Sequence, residues 1–191
     1  MKTLSIMIAG VGGQGTVLTS KLIATAAMKI GLNARTTEFI GMAQRGGCVF
    51  GHTRIGGEPD SPIIPLAGAD VLLAFEPSEA VRQLHFLAEG GKLITFDTPV
   101  FPLGQPYDVV PVLTYLRDTV PDAVVLDGSE VKSKYPKALN VALLGAAVQS
   151  GVFPFDAEAL KSSLPELLPK RFVEMNLKAF ELGGKVYASA H

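Results

Sequence analysis

Cysteine is almost absent from this chain, since Cys48 is the only one in 191 residues. An intrachain disulfide is therefore excluded, and so is an iron–sulfur cluster held by this chain alone, because such clusters normally need four thiolates. Histidine is also scarce: His52, His85 and His191 lie far apart and show no helical pairing with carboxylates, so no metal site is expected. A single thiol favours a reducing cytoplasm as the compartment.

Charge of one sign and long apolar runs are missing as well. The formal net charge is −1, so no global basic excess points to nucleic acid. No apolar run reaches the roughly 20 residues of a membrane span, and the short apolar start predicts a buried strand rather than a signal peptide. With 48% hydrophobic and 18% charged residues, the composition predicts one folded domain over residues 1–191.

Apolar periodicity alternates between the strand and helix periods along the first two thirds of the chain. Strands are predicted at residues 4–9, 33–39, 48–55, 69–75, 92–96, 107–111 and 123–126. Helices are predicted at residues 16–30, 77–88, 138–150, 156–167 and 171–182, with a helical turn at 112–119. The mixed character of strand 48–55 favours an exposed or edge position. We expect Gly183 and Gly184 to end the last helix.

A glycine-rich motif, G-V-G-G-Q-G at residues 10–15, stands between the first strand and the first helix. We call it the glycine turn. Gly10, Gly12 and Gly15 satisfy the G-x-G-x-x-G pattern, in which the glycines give a tight turn, close ligand approach and close packing of the helix. The helix amides and the helix dipole would favour an anion there. The pattern predicts an α/β fold: a Rossmann-like, mostly parallel sheet with flanking helices and a helical C-terminal third.

Dinucleotide binding is not established by this motif. The acid that binds ribose is expected at the end of the second strand, where Glu38 is the only candidate and its spacing is looser than usual. Gln14 is also unusual in such a turn. A tight turn used for packing or for a protein interface remains an equal alternative.

A second segment combines arginine with glycine, G-M-A-Q-R-G-G at residues 41–47. Arg45 beside Gly46 and Gly47, together with Arg54, could hold a phosphate or carboxylate, because guanidinium offers a planar fork of donors. The alternative is a solvated turn in which the arginines pair with Glu38 or with Glu58.

These segments together resemble the gamma subunit, or gamma domain, of 2-oxoacid:ferredoxin oxidoreductases, whose members act on pyruvate, 2-oxoglutarate, branched-chain 2-oxoacids or indolepyruvate. The resemblance rests on the glycine turn, on A-Q-R-G-G at 43–47 and on H-T-R-I-G at 52–56. It continues through F-E-P-S-E-A at 75–80, N-V-A-L-L-G at 140–145 and E-M-N-L-K-A-F at 174–180. Cys48, where small serine-like residues are common, departs from the family pattern.

The resemblance implies a non-autonomous subunit of an enzyme that oxidatively decarboxylates a 2-oxoacid to acyl-CoA and reduces ferredoxin. Thiamine diphosphate, Mg²⁺ and iron–sulfur clusters would lie mainly on thiamine-binding alpha and beta subunits and a ferredoxin-like subunit. Asp127-Gly128 matches only part of a thiamine-binding G-D-G pattern, because the leading glycine is missing. A simple turn after a strand also explains it. We expect no catalytic residue and no cofactor bound by this chain alone. The candidate contacts for an anion, coenzyme A or a partner are Gly10, Gly12, Gly13, Gln14, Gly15, Arg45 and Gly46.

Two other functions stay open on the sequence alone: a stand-alone Rossmann-type nucleotide-binding oxidoreductase and a scaffolding or dimerisation module. The mean hydropathy of +0.32 favours buried interfaces, including a homodimer of the isolated chain.

Overall fold

A computed structural model describes residues 2–41, 46–101 and 106–190 of the chain. The strands in these ranges are β1 (Leu4–Val11), β2 (Ala34–Ile40), β3 (Cys48–Ile55), β4 (Ala69–Ala74), β5 (Leu87–Phe96) and β6 (Val124–Leu126). The helices are α1 (Thr16–Lys29), α2 (Pro77–Gln83), α3 (Val109–Thr119), α4 (Ser129–Lys134), α5 (Leu139–Gln149), α6 (Ala157–Lys161), α7 (Leu164–Leu167) and α8 (Lys170–Ala190). A short 3₁₀ turn, Leu84–Phe86, joins α2 to β5.

The strands form one six-stranded mixed sheet in the order β2-β3-β1-β4-β5-β6. The four strands β1, β4, β5 and β6 pair in parallel, whereas β3 pairs antiparallel with both β1 and β2. The predicted β4-α2-β5 unit of adjacent parallel strands is confirmed. β1 and β2 also run in the same direction, but β3 lies between them. The edge position predicted for residues 48–55 is therefore wrong: β3 has a partner on each side, and Val49, Thr53 and Ile55 are buried.

Helices cover both faces of the sheet. Alternate β1 residues enter two different cores, because successive side chains of a strand point to opposite faces. Ile6 and Ile8 pack in the larger core with α1, α5 and α8, while Met7 and Ala9 pack in the smaller core with α2 and α3. This two-sided burial explains why β1 is apolar at nearly every position.

The connection after β5 differs from the predicted pattern. Residues 107–111 were expected to form a strand, but α3 begins at Val109 and runs to Thr119. Asp108 caps it, because its carboxylate accepts a hydrogen bond of 3.0 Å from the amide of Val110. β5 also begins earlier than predicted, at Leu87, so the Glu89-Gly90-Gly91 segment expected to stop a helix belongs to the strand.

The last helix corrects another prediction, since α8 continues through Gly183 and Gly184 to Ala190. Gly183 is needed for close packing: a Cβ atom there would overlap the carbonyl oxygen of Ala142 in α5. A Cβ atom on Gly145 would likewise overlap the carbonyl oxygen of Phe180. These glycines let the backbones of α5 and α8 touch, and they do not end the helix.

Candidate functional site

The glycine turn lies at the carboxyl end of β1, where the chain order of the sheet reverses. We call this place the β1–β4 reversal. β3 lies on one side of β1 and β4 on the other, so this is the point at which open α/β sheets form ligand crevices. Gly10 and Val11 end the strand, and Gly15 is the N-cap of α1. Gly13 and Gly15 have φ values of +101° and +87°, which side-chain-bearing residues rarely adopt. The predicted tight strand-to-helix turn is confirmed.

Gln14 folds its side chain inward across this crevice. Its Oε1 accepts a 2.6 Å hydrogen bond from the Val11 amide, and its Nε2 donates at 3.3 Å to the carbonyl oxygen of Phe75, the residue after β4. Gln14 therefore joins the ends of β1 and β4. A glutamine in this position has a structural use that the glycine pattern does not reveal.

The glycines of the motif make room for protein groups. A Cβ atom on Gly10 would lie 2.9 Å from both Gln14 Oε1 and Phe75 Cδ2. A Cβ atom on Gly15 would lie 2.5 Å from Nδ2 of Asn140, which donates to the Gly15 carbonyl at 3.3 Å. The third glycine thus permits a contact between α1 and α5, where helix–strand packing was expected.

Among the described residues, no acidic side chain of the first turn and no side-chain cap balances the positive end of the α1 dipole. The first turn of α1 has no acidic residue, and Gly15 provides no side-chain cap. The hydroxyl oxygen of Thr16 is buried without a hydrogen-bond partner among the described groups. Beside it is an open hollow of about 410 Å³ lined by Gly13, Gly15, Thr16, Val17, Ile40 and Val49. First-turn amides and the helix dipole favour an anion at such a place.

The sheet order argues against dinucleotide binding. Glu38 lies on β2, opposite Gly51 of β3, so a whole strand separates it from β1. In the dinucleotide fold, the acid that binds ribose stands at the end of the strand next to β1. Glu38 therefore does not take the place required for that role.

The arginine-glycine segment is described only in part, because Arg45 lies outside the described residues. Gly46 has a φ of +75°, and the carbonyl of Gly47 accepts a 2.8 Å hydrogen bond from the Gly12 amide. Gly12 thus binds protein backbone through its N–H. Arg54 lies elsewhere: it pairs in register with Ser5 near the start of β1 and donates to the Ser61 carbonyl at 3.0 Å.

A buried carboxylate beside the turn was not singled out from the sequence. Glu76 is fully buried at the N-cap of α2, where its Oε2 accepts hydrogen bonds from the Ser78 hydroxyl and the Glu79 amide. Its Oε1 accepts one from the hydroxyl of Tyr107. Burial, reinforced by Glu76, raises the pKa of the Tyr107 hydroxyl. An acid directly before a proline that starts a helix was the available sequence signal.

Cys48 and Glu79 form a second polar cluster at this end of the sheet. Cys48 pairs in register with Val11, and its sulfur accepts a 3.5 Å hydrogen bond from Gln83. Glu79 is buried and binds Arg82 at 3.2 Å through Oε1. Burial, with Glu79 close by, raises the pKa of the Cys48 thiol to about 11, and burial also raises the pKa of the Glu79 carboxyl. Such a thiol is protonated at neutral pH and is a poor nucleophile.

His52 of β3 lies in a buried aromatic cluster. It is buried at 2% exposure among Phe39, Phe50 and Phe86, with ring centroids 5.1 to 5.8 Å from its own. Its Nδ1 accepts a 2.9 Å hydrogen bond from the amide of Ile64, and its burial lowers its pKa. The acceptor role requires an unprotonated Nδ1.

The described residues lack a cluster of metal-ligating side chains. They contain no group of three or more His, Cys, Asp or Glu side chains placed to hold a metal ion. Asp127-Gly128 is a turn between β6 and α4: the Asp127 carboxylate accepts from the Ser129 amide at 2.8 Å, and Asp97 accepts from the Gly128 amide at 3.0 Å. None of the helices in the described residues combines the length and the hydropathy that a membrane span needs.

The fold and the glycine turn define a class of α/β protein with a crevice at the β1–β4 reversal. Comparison with known families makes this specific. The model of the pyruvate ferredoxin/flavodoxin oxidoreductase family matches residues 5–186, and the chain belongs to that family.

The similar curated proteins are subunits of oxidoreductases. The chain is 37% identical to indolepyruvate oxidoreductase subunit IorB of Archaeoglobus fulgidus, covering 94% of this chain and 93% of that protein. It is 38% identical to IorB of Methanothermobacter thermautotrophicus, covering 94% and 95%. The common gamma subunit of the pyruvate/ketoisovalerate oxidoreductases of Thermococcus litoralis is 28% identical, covering 93% and 96%. The expectation of a gamma-type subunit of a 2-oxoacid oxidoreductase complex is confirmed.

Solved structures agree on the fold. The gamma subunit of a keto/oxoacid ferredoxin oxidoreductase from Geobacter sulfurreducens superposes with a TM-score of 0.73 at 25% identity, covering 100% of this chain and 99% of that one. The 2-oxoglutarate:ferredoxin oxidoreductase of Magnetococcus marinus, solved with 2-oxoglutarate, coenzyme A and succinyl-CoA, gives 0.72 at 20% identity. This superposition covers 99% of the present chain and 32% of the longer one. The same fold therefore occurs as a separate subunit and as part of a larger polypeptide.

Proposed function

We propose that this chain is the gamma-type subunit of an oxidoreductase for aromatic 2-oxoacids of the indolepyruvate type. The similarity gap supports this substrate class: identity is 32–38% to four indolepyruvate oxidoreductase subunits and 28% to the pyruvate/ketoisovalerate subunit over similar coverage. In the overall reaction a 2-oxoacid, coenzyme A and two oxidised ferredoxins give acyl-CoA, CO₂, two reduced ferredoxins and a proton.

In this proposal the cofactors and the electron path lie on other subunits. The partners are thiamine-binding alpha and beta subunits and a ferredoxin-like subunit, with Mg²⁺ and thiamine diphosphate on the former and iron–sulfur clusters on the latter. The single cysteine supports this division, because a cluster needs more thiolates than this chain has. The cytoplasm is the proposed compartment, since Cys48 has no intrachain disulfide partner.

The proposed contribution of this chain is an anion contact at the glycine turn for a phosphate group of coenzyme A. The observation that carries it is the uncapped, carboxylate-free N-terminus of α1 beside the 410 Å³ hollow at the chain reversal. Coenzyme A in the Magnetococcus marinus structure agrees with a ligand of this kind in an enzyme that contains this fold. Gly13, Gly15 and the first-turn amides would face the phosphate, and Gln14 would fix the turn from behind. Arg45 is proposed as an additional cation.

The substrate is tested in the whole complex. The chain is produced together with its proposed alpha, beta and ferredoxin-like partner subunits, and reduction of ferredoxin is measured with indolepyruvate, pyruvate, 2-oxoglutarate and 2-oxoisovalerate. The highest kcat/KM is expected with indolepyruvate. A preference for a branched-chain or short 2-oxoacid would overturn the assignment of substrate class.

The anion contact is tested by placing a carboxylate in the first turn of α1. Val17→Glu puts a negative charge where the helix dipole favours it, so the fold is retained while an anionic ligand is repelled. The KM for coenzyme A should rise about tenfold, equivalent to ~1.4 kcal/mol, with the KM for the 2-oxoacid unchanged. Val17→Gln is the matched neutral control. Equal KM values for coenzyme A in the two variants would reject the contact.

A further inference from the structure

Glu76 and Tyr107 connect two parts of the chain at the β1–β4 reversal. The Glu76 carboxylate is fully buried and accepts from three donors: the Ser78 hydroxyl, the Glu79 amide and the Tyr107 hydroxyl. The first two donors belong to α2, of which Glu76 is the N-cap, so they move together with it. The Tyr107 hydroxyl is the donor that ties Glu76 to a different part of the chain.

Tyr107 lies in the connection between β5 and α3. Its ring meets the ring of Phe101 edge-on, with centroids 5.7 Å apart. Tyr107 is half-buried, and its hydroxyl reaches Oε1 of a carboxylate that is closed to solvent. Without this hydroxyl, a buried carboxylate oxygen has no donor among the described residues, and such an unsatisfied oxygen is costly.

A continuous set of bonds leads from Glu76 to the glycine turn. The carbonyl of Phe75 belongs to the peptide bond that joins Phe75 to Glu76, and this carbonyl accepts the 3.3 Å hydrogen bond from Gln14 Nε2. The other end of the Gln14 amide accepts from the Val11 amide at 2.6 Å. A change in the position of Glu76 therefore moves the group to which the turn is tied.

We propose that Tyr107 is a positioning residue for the glycine turn: by holding Glu76, it fixes the Phe75 carbonyl and hence the inward conformation of Gln14. Its effect on catalysis rests on the proposed anion contact, but its effect on the turn does not. Tyr107 needs no contact with substrate for this role. The connection between β5 and α3 thereby becomes part of the site at the end of β1.

The direct test is amide hydrogen exchange of the full chain. Tyr107→Phe removes the hydroxyl and keeps the ring that packs on Phe101. Exchange of the Val11 and Gln14 amides should rise about tenfold, with exchange in α5 and β6 unchanged, because local and global opening are separable. Tyr115→Phe is the matched control, since Tyr115 is half-exposed on α3. Gln14→Met, which removes both Gln14 hydrogen bonds, should reproduce the effect.

The outcomes divide clearly. Unchanged exchange at Val11 and Gln14, or a uniform rise over the whole chain as a purely structural role would give, overturns the proposal. Tyr107→Met supplies a second hydroxyl-free variant if Tyr107→Phe does not fold. In the assembled complex, Tyr107→Phe should raise the KM for coenzyme A severalfold, with kcat and the KM for the 2-oxoacid unchanged. Faster local exchange in Tyr107→Phe, together with an unchanged KM for coenzyme A in Val17→Glu, supports the positioning role of Tyr107 and rejects coenzyme A as the ligand.

Discussion

The side-chain amide of Asn140 lies against the backbone of Gly15, donating to its carbonyl oxygen at 3.3 Å. The same nitrogen donates to the Thr19 hydroxyl at 3.4 Å, so it links α5 to the N-cap and the first turn of α1. α5 is buried along most of its length, and this contact is one of its few polar interactions. The glycine turn is thus held from two directions, by Gln14 from the sheet and by Asn140 from α5.

Gly15→Ala should destabilise the fold through this contact. The new Cβ atom would lie 2.5 Å from Asn140 Nδ2, at a φ of +87°. Strain and overlap together should lower the free energy of unfolding by roughly 2 kcal/mol, measured by urea denaturation. Gly13→Ala is the control, because its φ is also positive but no atom lies within 4 Å, so it should cost only the backbone strain, about 1 kcal/mol. Equal losses in both variants would rule out the Asn140 contact as a cause.

Gly183 and Gly184 of α8 are neighbours with opposite expected responses to alanine. Gly183→Ala forces a methyl group into the carbonyl of Ala142 and should cost about 3 kcal/mol. Gly184→Ala meets the Gly145 carbonyl at an ordinary 3.6 Å, so better helix propensity should raise stability by up to ~1 kcal/mol. Thermal and urea unfolding of both variants would decide it. Destabilisation by Gly184→Ala similar to that by Gly183→Ala would refute the close approach of these helices.

The same two glycines show where sequence reasoning fails. Adjacent glycines normally weaken a helix, and the sequence therefore predicted an end at residue 182. Only contact with α5, about forty residues away in the chain, makes glycine the favourable choice. The position of β3 is a similar case, because the mixed polarity of residues 48–55 carries no information about insertion between β1 and β2.

Local signals were sufficient for other elements. Short, continuous apolar runs were enough to predict β1 and β4 to within two residues at either end. The glycine pattern located the turn, but its polar connections were hidden: Gln14 looked anomalous as a ligand contact, and Glu76 and Tyr107 are 31 residues apart in sequence. Hydrogen bonds between such distant side chains depend on the packed fold, which explains why this part of the site was missed.

His52 should make stability depend on pH. Burial lowers its pKa in the folded chain below the ordinary 6.5, so the unfolded chain binds the proton more readily. The contribution of neutral His52 to the free energy of unfolding is therefore fully present above pH 6.5. It is lost as the pH falls towards the pKa of His52 in the folded chain. His52→Gln keeps an acceptor for the Ile64 amide. In this variant the urea midpoint of unfolding should depend less on pH between pH 7.5 and 5. His85→Gln, at an exposed histidine, should retain the wild-type slope of the urea midpoint against pH. A wild-type slope in His52→Gln would contradict the assignment of this pH dependence to His52.

Cys48 should resist alkylation in the folded chain. With a thiol pKa of about 11, about one molecule in a thousand carries the thiolate at pH 8, and iodoacetamide should react far more slowly than with the urea-unfolded chain. Burial is the main cause and the Glu79 carboxylate adds to it, so Glu79→Gln should lower the pKa and speed the reaction. Arg82→Gln is the opposing control: it removes a nearby cation and should slow the reaction further. Mass spectrometry of alkylated protein against time, from pH 7 to 10, gives the rates. Alkylation of the native chain at the unfolded rate would show that the thiol is not held in this environment.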